Sequence, residues 1–517
     1  MQRKTILDPD KGINKYLPKD LIPDTAWSDG NNVLFGVGYV EKAQGWQKFI
    51  ATQLDGPIMA IDNYYKFNGD SFLMIVTTKR VYYYNPVTNN VVDITGATPL
   101  NGTVDNPVFT ETAQDLFIIT NGIDPIKYWD GVSATIADLP GLTDCVGGVT
   151  SVRAKSLVFF QNFLVLFNTI ENGNNCPQRL RWSQLGDIQK WKNNADGSGQ
   201  AGFGDLTDGI DLGQRLVPLG NYLVAYKERS IQVLSYVGGD LIWDKRPAIF
   251  GTGLLAPKAI MDLGDEHIFI GPDNIYSFDL IEPKIAGDDI AKEFFRILDP
   301  AKAHMTTAFF VEEVPECWFA FVSVNSPNGY HDKAIVYNTD TKAWSIRDMP
   351  MTAFGYYNLK DDPIWDTDEG TWDSDDSAWD SSTNLANAPI NLGGDAQGYV
   401  YVFGGNSKDG ADLSFNITSK LFDLDEPFRL KRLKRIQLMV SREGPYNLLV
   451  KVGTADNVDE PIKWYGPYNM NLDVTKPPWV DVDITGRYFC VEFSTLKKDE
   501  PVRITGYVLY YDIRGVV

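Results

Sequence analysis

The hydrophobic positions of this chain repeat one pattern: an apolar run, a short polar turn, and a second apolar or aromatic run closing on Asn or Asp. Phe72–Thr77 turns at Thr78-Lys79-Arg80 into Val81–Asn85, and Leu116–Thr120 turns through Asn121-Gly122 towards Ile126–Asp130. Tyr222–Tyr226 turns at Lys227-Glu228-Arg229 into Ile231–Tyr236, and His267–Ile270 turns at Gly271-Pro272-Asp273-Asn274 into Ile275–Asp279. Trp318–Val324 returns as Ala334–Asn338, with looser copies beginning at Phe163 and Tyr399. Each unit predicts a β-hairpin.

The hairpins start at 72, 116, 163, 222, 267, 318 and 399, at intervals of 44, 47, 59, 45, 51 and 81 residues. Most intervals are near the roughly 40–50 residues of a four-stranded propeller blade. Ile58–Tyr64 and Val91–Ile94 supply flanking strands for the first. A hairpin cannot bury both faces alone, so stacking successive units makes the core. A β-solenoid or two sandwiches share this period; the expectation is an all-β chain with a six- or seven-bladed propeller over 51–411.

Residues 1–50 precede the repeats. Leu17–Pro23 is extended, because proline bars helix for its predecessor. Val33–Phe35 and Tyr39–Glu41 read as a hairpin around Gly36 and Gly38. Such an arm either wraps a neighbour or completes a sheet of its own chain. The long intervals place insertions at 168–204 and 361–384. In the second, Trp-Asp recurs every seven residues, at Trp365-Asp366, Trp372-Asp373 and Trp379-Asp380. The residues between are poor helix formers, which excludes a coiled coil. The loop is either solvated and acidic or a calcium site, although its spacing is not that of an EF-hand. From 412 to 517 the blade pattern gives way to strands at Leu421–Asp423, Arg435–Val440, Tyr446–Val452, Trp479–Ile484, Tyr488–Phe493 and Val502–Tyr511, which predict a β-sandwich.

With 45 Gly and 28 Pro in 517 residues, turns are frequent, as many short strands require. The net charge of −21 argues against a protein that grips nucleic acid, which needs clustered Lys and Arg. The one basic run is Phe428-Arg429-Leu430-Lys431-Arg432-Leu433-Lys434-Arg435. It reads either as a solvated strand edge or as a docking site for an acidic neighbour. Cys145, Cys176, Cys317 and Cys490 lie far apart, so buried free thiols are expected and a zinc site is not. No signal peptide or membrane span is expected. Three histidines, His267, His304 and His331, are far apart in sequence, and no nucleophile elbow, phosphate loop or dinucleotide fingerprint occurs. No enzyme activity, cofactor or catalytic residue is expected.

The segment Ala26-Trp27-Ser28-Asp29-Gly30-Asn31-Asn32-Val33-Leu34-Phe35, with Val40-Glu41-Lys42 and Gly45-Trp46, resembles the opening of bacteriophage tail nozzle or hub proteins of short-tailed phages. Arg181-Trp182-Ser183 running to Trp191, Leu216–Val224, Lys227–Ile231, the Trp-Asp repeat and Gly486-Arg487-Tyr488-Phe489 are similar to the same family. The resemblance implies a propeller-containing structural subunit of the virion tail, assembled in the host bacterial cytoplasm. It implies a homo-oligomeric, usually hexameric, ring below the tail adaptor, adjoining fibres or a spike. Such a ring retains packaged DNA, then passes the duplex without tight binding. In that setting Trp27, Phe35, Arg429, Lys431, Arg432, Lys434 and Arg435 are candidate partner contacts. The loop of Trp365, Asp366, Trp372, Asp373, Trp379 and Asp380 is a candidate lumen or fibre contact. Two other readings compete: a propeller that binds a surface glycan through aromatic faces, and a polysaccharide-degrading enzyme with a carboxylate pair.

Overall fold

The hairpin strands are continuous apolar runs because both their faces are buried. Leu116–Thr120 and Glu316–Phe321 are buried at every position. A computed structural model describes residues 1–86, 88–239, 241–358, 389–441, 445–473 and 478–516. It arranges these strands in seven antiparallel sheets, the blades of a propeller. Blades one to six take residues 58–93, 109–138, 152–205, 213–250, 260–285 and 307–348. Six blades have four strands; the fourth blade adds a short fifth, Ile249–Phe250.

Closure is visible in the first strand of each blade. Ile58–Tyr65, Phe109–Ala113, Val152–Phe160, Gly213–Leu219, Ile260–Asp262, Thr307–Val311 and Met351–Tyr357 touch one another in that order, and the last returns to the first. They line the axis. The core lies between blades: Tyr64, Met74 and Val76 of the first meet Phe117, Ile119 and Trp129 of the second, for example.

The seventh blade contains both ends of the propeller sequence. Met351–Tyr357, Ile390–Asp395 and Val400–Phe403 form three strands, and Trp46–Ile50 forms the fourth. The hairpin read from Tyr399 therefore begins one strand earlier, at Ile390. Gly45 leads into the closing strand, where a Cβ would stand 1.9 Å from the Ser407 carbonyl oxygen. Glycine alone fits this approach.

Residues 168–204 are not an insertion. The hairpin turn at Asn172-Gly173, both at positive φ, joins Phe163–Glu171 to Asn174–Trp182, and Gly202–Asp205 completes the blade. Only 183–201 is a connection, anchored by buried Ile188 and Trp191 in the core between blades two and three. The 361–384 stretch lies outside the described residues.

The remaining described residues build two further antiparallel sheets. One runs Val33–Gly36, Tyr39–Lys42, Arg503–Val516, Arg429–Ser441, Trp479–Gly486, with Gln2–Leu7 also on Arg503–Val516. The other runs Trp27–Asn31, Phe415–Ser419, Tyr488–Thr495, Asn447–Ala455, Lys463–Asn471. The N-terminal arm thus supplies strands to both sheets of its own chain. Facing side chains of the two sheets pool in one core, where Trp27 meets Phe493 and Tyr507.

That core continues into blades four to six and the helix Asp288–Ile297, which buries Ile290, Ala291 and Phe294. Asp288 and Asp289 at its start and Arg296 at its end suit the helix dipole. The arm is fastened here, with the Ile13 amide donating to Trp344 O at 2.8 Å and the Lys15 amide to Asp289 O at 2.7 Å.

Candidate functional site

The propeller axis is crossed by side chains from several blades. Asp62 of the first and Thr110 of the second are joined at 2.7 Å, hydroxyl to carboxylate. Lys258, just before the first strand of blade five, reaches across to blade one and donates to Met59 O at 2.6 Å. Arg215 of blade four lies with its guanidinium 5.3 Å from the Phe109 ring centre of blade two, and the Lys258 ammonium is 5.8 Å from the same ring. A bulge between Gly213 and Arg215 re-aims the strand there. Asp62, Phe109, Thr110, Arg215, Lys258 and Phe354 are among the residues around a solvent-open space of about 200 Å³.

These groups touch water yet are enclosed by the propeller, and their acidities reflect it. Burial raises Asp62 above the usual carboxylate range and pushes Glu111 up to about 7, against the Phe159 and Thr112 amides that bond it. Burial, then the neighbouring Arg215, brings Lys258 down to about 7. Beside them His331 bonds Met305 O through Nε2 at 2.8 Å, and burial lowers it to about 4. The axis is a passage crossed by charged side chains, with room beside them for a small solute.

The basic run lies in mid-sheet, between Arg503–Val516 and Trp479–Gly486, and is not an edge. Alternation sends its residues to opposite faces. Lys431 is fully buried and donates to Asp423 O at 2.8 Å and Glu426 O at 2.7 Å. Arg432 makes a two-pronged ion pair with Asp483, Arg435 pairs with Asp481 at 2.6 Å, and Lys434 with Asp512 at 2.6 Å. Arg429, exposed, stands 3.7 Å from Glu426. The run is matched by acids of its own unit, and its place in mid-sheet corrects the reading of it as a strand edge.

Trp27 and Phe35 are each only 1% exposed. The Trp27 indole donates to Pro9 O at 2.9 Å. As side chains they are core of the two-sheet unit and offer a partner no surface. Trp365, Asp366, Trp372, Asp373, Trp379 and Asp380, with the calcium reading attached to them, lie outside the described residues. Cys145, Cys317 and Cys490 are buried thiols, while Cys176 is half-buried. Among the described residues no group of three His, Cys, Asp or Glu side chains is placed to hold a metal, and no helix is long and apolar enough to cross a membrane.

Sequence reading missed the axial group because its members come from four blades. The available signal was a lone charge in an otherwise apolar inner strand: Asp62 after Ile58-Met59-Ala60-Ile61, and Arg215 before Leu216-Val217.

The chain matches no protein-family description and no curated protein. Among solved structures it is similar to the WD40 domain of Pan2 from Neurospora crassa, at 10% identity and a TM-score of 0.37, over 68% of this chain and 89% of that one. A chain of the mitotic checkpoint complex is similar at 9% identity and a TM-score of 0.41, over 69% of this chain and 92% of that one. The protein is a β-propeller; the blade count and closure come from its own seven sheets.

Proposed function

We propose that this chain is a structural, non-catalytic subunit of a phage tail, forming with copies of itself the distal ring that retains DNA and then passes it. The proposal begins from the sequence resemblance. The observation that carries it furthest is the fate of the basic run: its cations are consumed by Asp481, Asp483, Asp512 and backbone carbonyls of the same unit. In a chain of net charge −21 this leaves a surface that repels phosphate, as the wall of a DNA conduit requires.

The obstructed axis adds a constraint. With Arg215 and Lys258 meeting over Phe109, a duplex has no route through a single propeller, so the conduit runs between copies. Gating is then a matter of loops at the ring's lumen. The glycan-binding alternative rests on Trp365, Trp372 and Trp379, and no described residue favours it.

The test is particle mass and shape, by light scattering and negative-stain microscopy, alone and with the adjoining tail ring. A closed ring with a central opening is expected. A protein that stays monomeric with those partners present refutes the proposal.

A further inference from the structure

Arg215 stands in the axial channel without a hydrogen-bond partner among the described residues. Among the described residues its guanidinium makes no hydrogen bond or ion pair, although it carries five donors and lies against the Phe109 ring. Lys258 uses one of its three donors, on Met59 O. Two cations thus converge on one ring beside a solvent-open space of about 200 Å³. Glu111 and Asp262 favour the charged Arg215, and Asp62 the charged Lys258, but through space rather than by ion pairs, so donors of both half-buried cations still lack acceptors.

The channel's own carboxylates act on these cations at a distance and take their hydrogen bonds from other groups. Asp62 accepts from the Thr110 hydroxyl and the Asn63 amide. Glu111 accepts from the Phe159 and Thr112 amides. Asp262 lies 3.9 Å from the His267 ring. None makes an ion pair with Arg215 or Lys258. The missing partner is an acceptor with negative charge, small enough for the space and reached from solvent.

We propose that the axial channel binds one small oxyanion, a phosphate or a carboxylate, held by Arg215 and Lys258 over the Phe109 ring. The guanidinium supplies a planar pair of donors and the ammonium a mobile point charge, the combination that oxyanions take. The ion relieves the repulsion between the cations and ties blades four and five together across the axis, over Phe109 of blade two. Binding weakens as pH rises through about 7. There Lys258 loses its proton and Glu111 becomes charged, beside the carboxylates of Asp62 and Asp262. His331 is neutral throughout that range.

Isothermal titration calorimetry of the intact chain tests this, with inorganic phosphate and, separately, acetate, at ionic strength fixed with sodium chloride. One saturable site per chain is expected for at least one of them, and which one saturates separates phosphate from carboxylate. Arg215→Gln should bind at least tenfold more weakly. Lys258→Gln, which keeps a donor for Met59 O, serves if the first variant does not fold and should also lose affinity. Absence of saturable heat with both anions overturns the proposal. So does unchanged affinity in a folded variant, which marks the binding as an adventitious ion only.

Discussion

Glu316 and Arg347 form a buried pair, and its disruption has a calculable cost. Arg347 donates through both terminal nitrogens to Glu316 at 2.5 and 2.8 Å and through Nε to Val33 O at 3.0 Å. The Trp318 indole donates to the same carboxylate at 2.9 Å. The side chains are 5% and 2% exposed, so neither charge has water to fall back on. Val33 belongs to the two-sheet unit and the pair to blade six, so this contact holds the two parts together. Arg347→Ala strands the carboxylate, and breaking one side of such a pair costs about 3–5 kcal/mol. Removing both charges in Glu316→Gln/Arg347→Met should recover most of that loss, because the penalty comes from the unpaired ion rather than the missing attraction. Urea unfolding read by both tryptophan fluorescence and circular dichroism tests this, with separate transitions fitted where the probes diverge. An Arg347→Ala protein as stable as the original, or a double variant weaker than the single one, refutes the reasoning.

Three further outcomes follow from the same contacts. Burial alone would raise Asp348, but Lys333 at 2.6 Å and Lys408 at 2.7 Å hold it well below the usual carboxylate range. Its stabilisation is therefore complete above the unfolded value near 4 and fades as pH falls towards the folded value; Asp348→Asn should cost roughly 1.5–3 kcal/mol at pH 7 and flatten stability below pH 4, read by urea unfolding across pH. Gly45→Ala should push Trp46–Ile50 off the seventh blade, seen as faster amide exchange there with unchanged exchange in blades two and three. Replacing Arg432, Lys434 and Arg435 together by Gln should leave duplex-DNA binding undetectable in low-salt gel shifts, as in the parent, because those cations are already matched.

The legible part of this fold was its middle strands. Leu116–Thr120 or His267–Ile270 announce themselves because burial on both faces demands unbroken apolar sequence. The outer strands Ala137–Asp138 and Pro283–Ile285 carry almost no such demand, being short and mostly exposed. Lys463–Asn471 was hidden by its Gly466-Pro467, tolerated because this strand is at a sheet edge. Where Trp46–Ile50 pairs was illegible for another reason: its partner Val400–Phe403 is some 350 residues away, and local pattern holds no information on closure. The basic run illustrates the converse. Its composition was plain, but its meaning depended on Asp481, Asp483 and Asp512, which reach it only through sheet register.

The proposed function requires that duplex DNA pass between copies of this protein and never through one propeller. A cryo-electron microscopy reconstruction of the protein on its tail assembly, with DNA held in place, tests it most directly. A closed ring is expected, its opening walled by acidic surface from neighbouring copies, with Arg215 and Lys258 closing every propeller axis. Duplex density inside a propeller axis, or single unringed copies on the assembly, would contradict it.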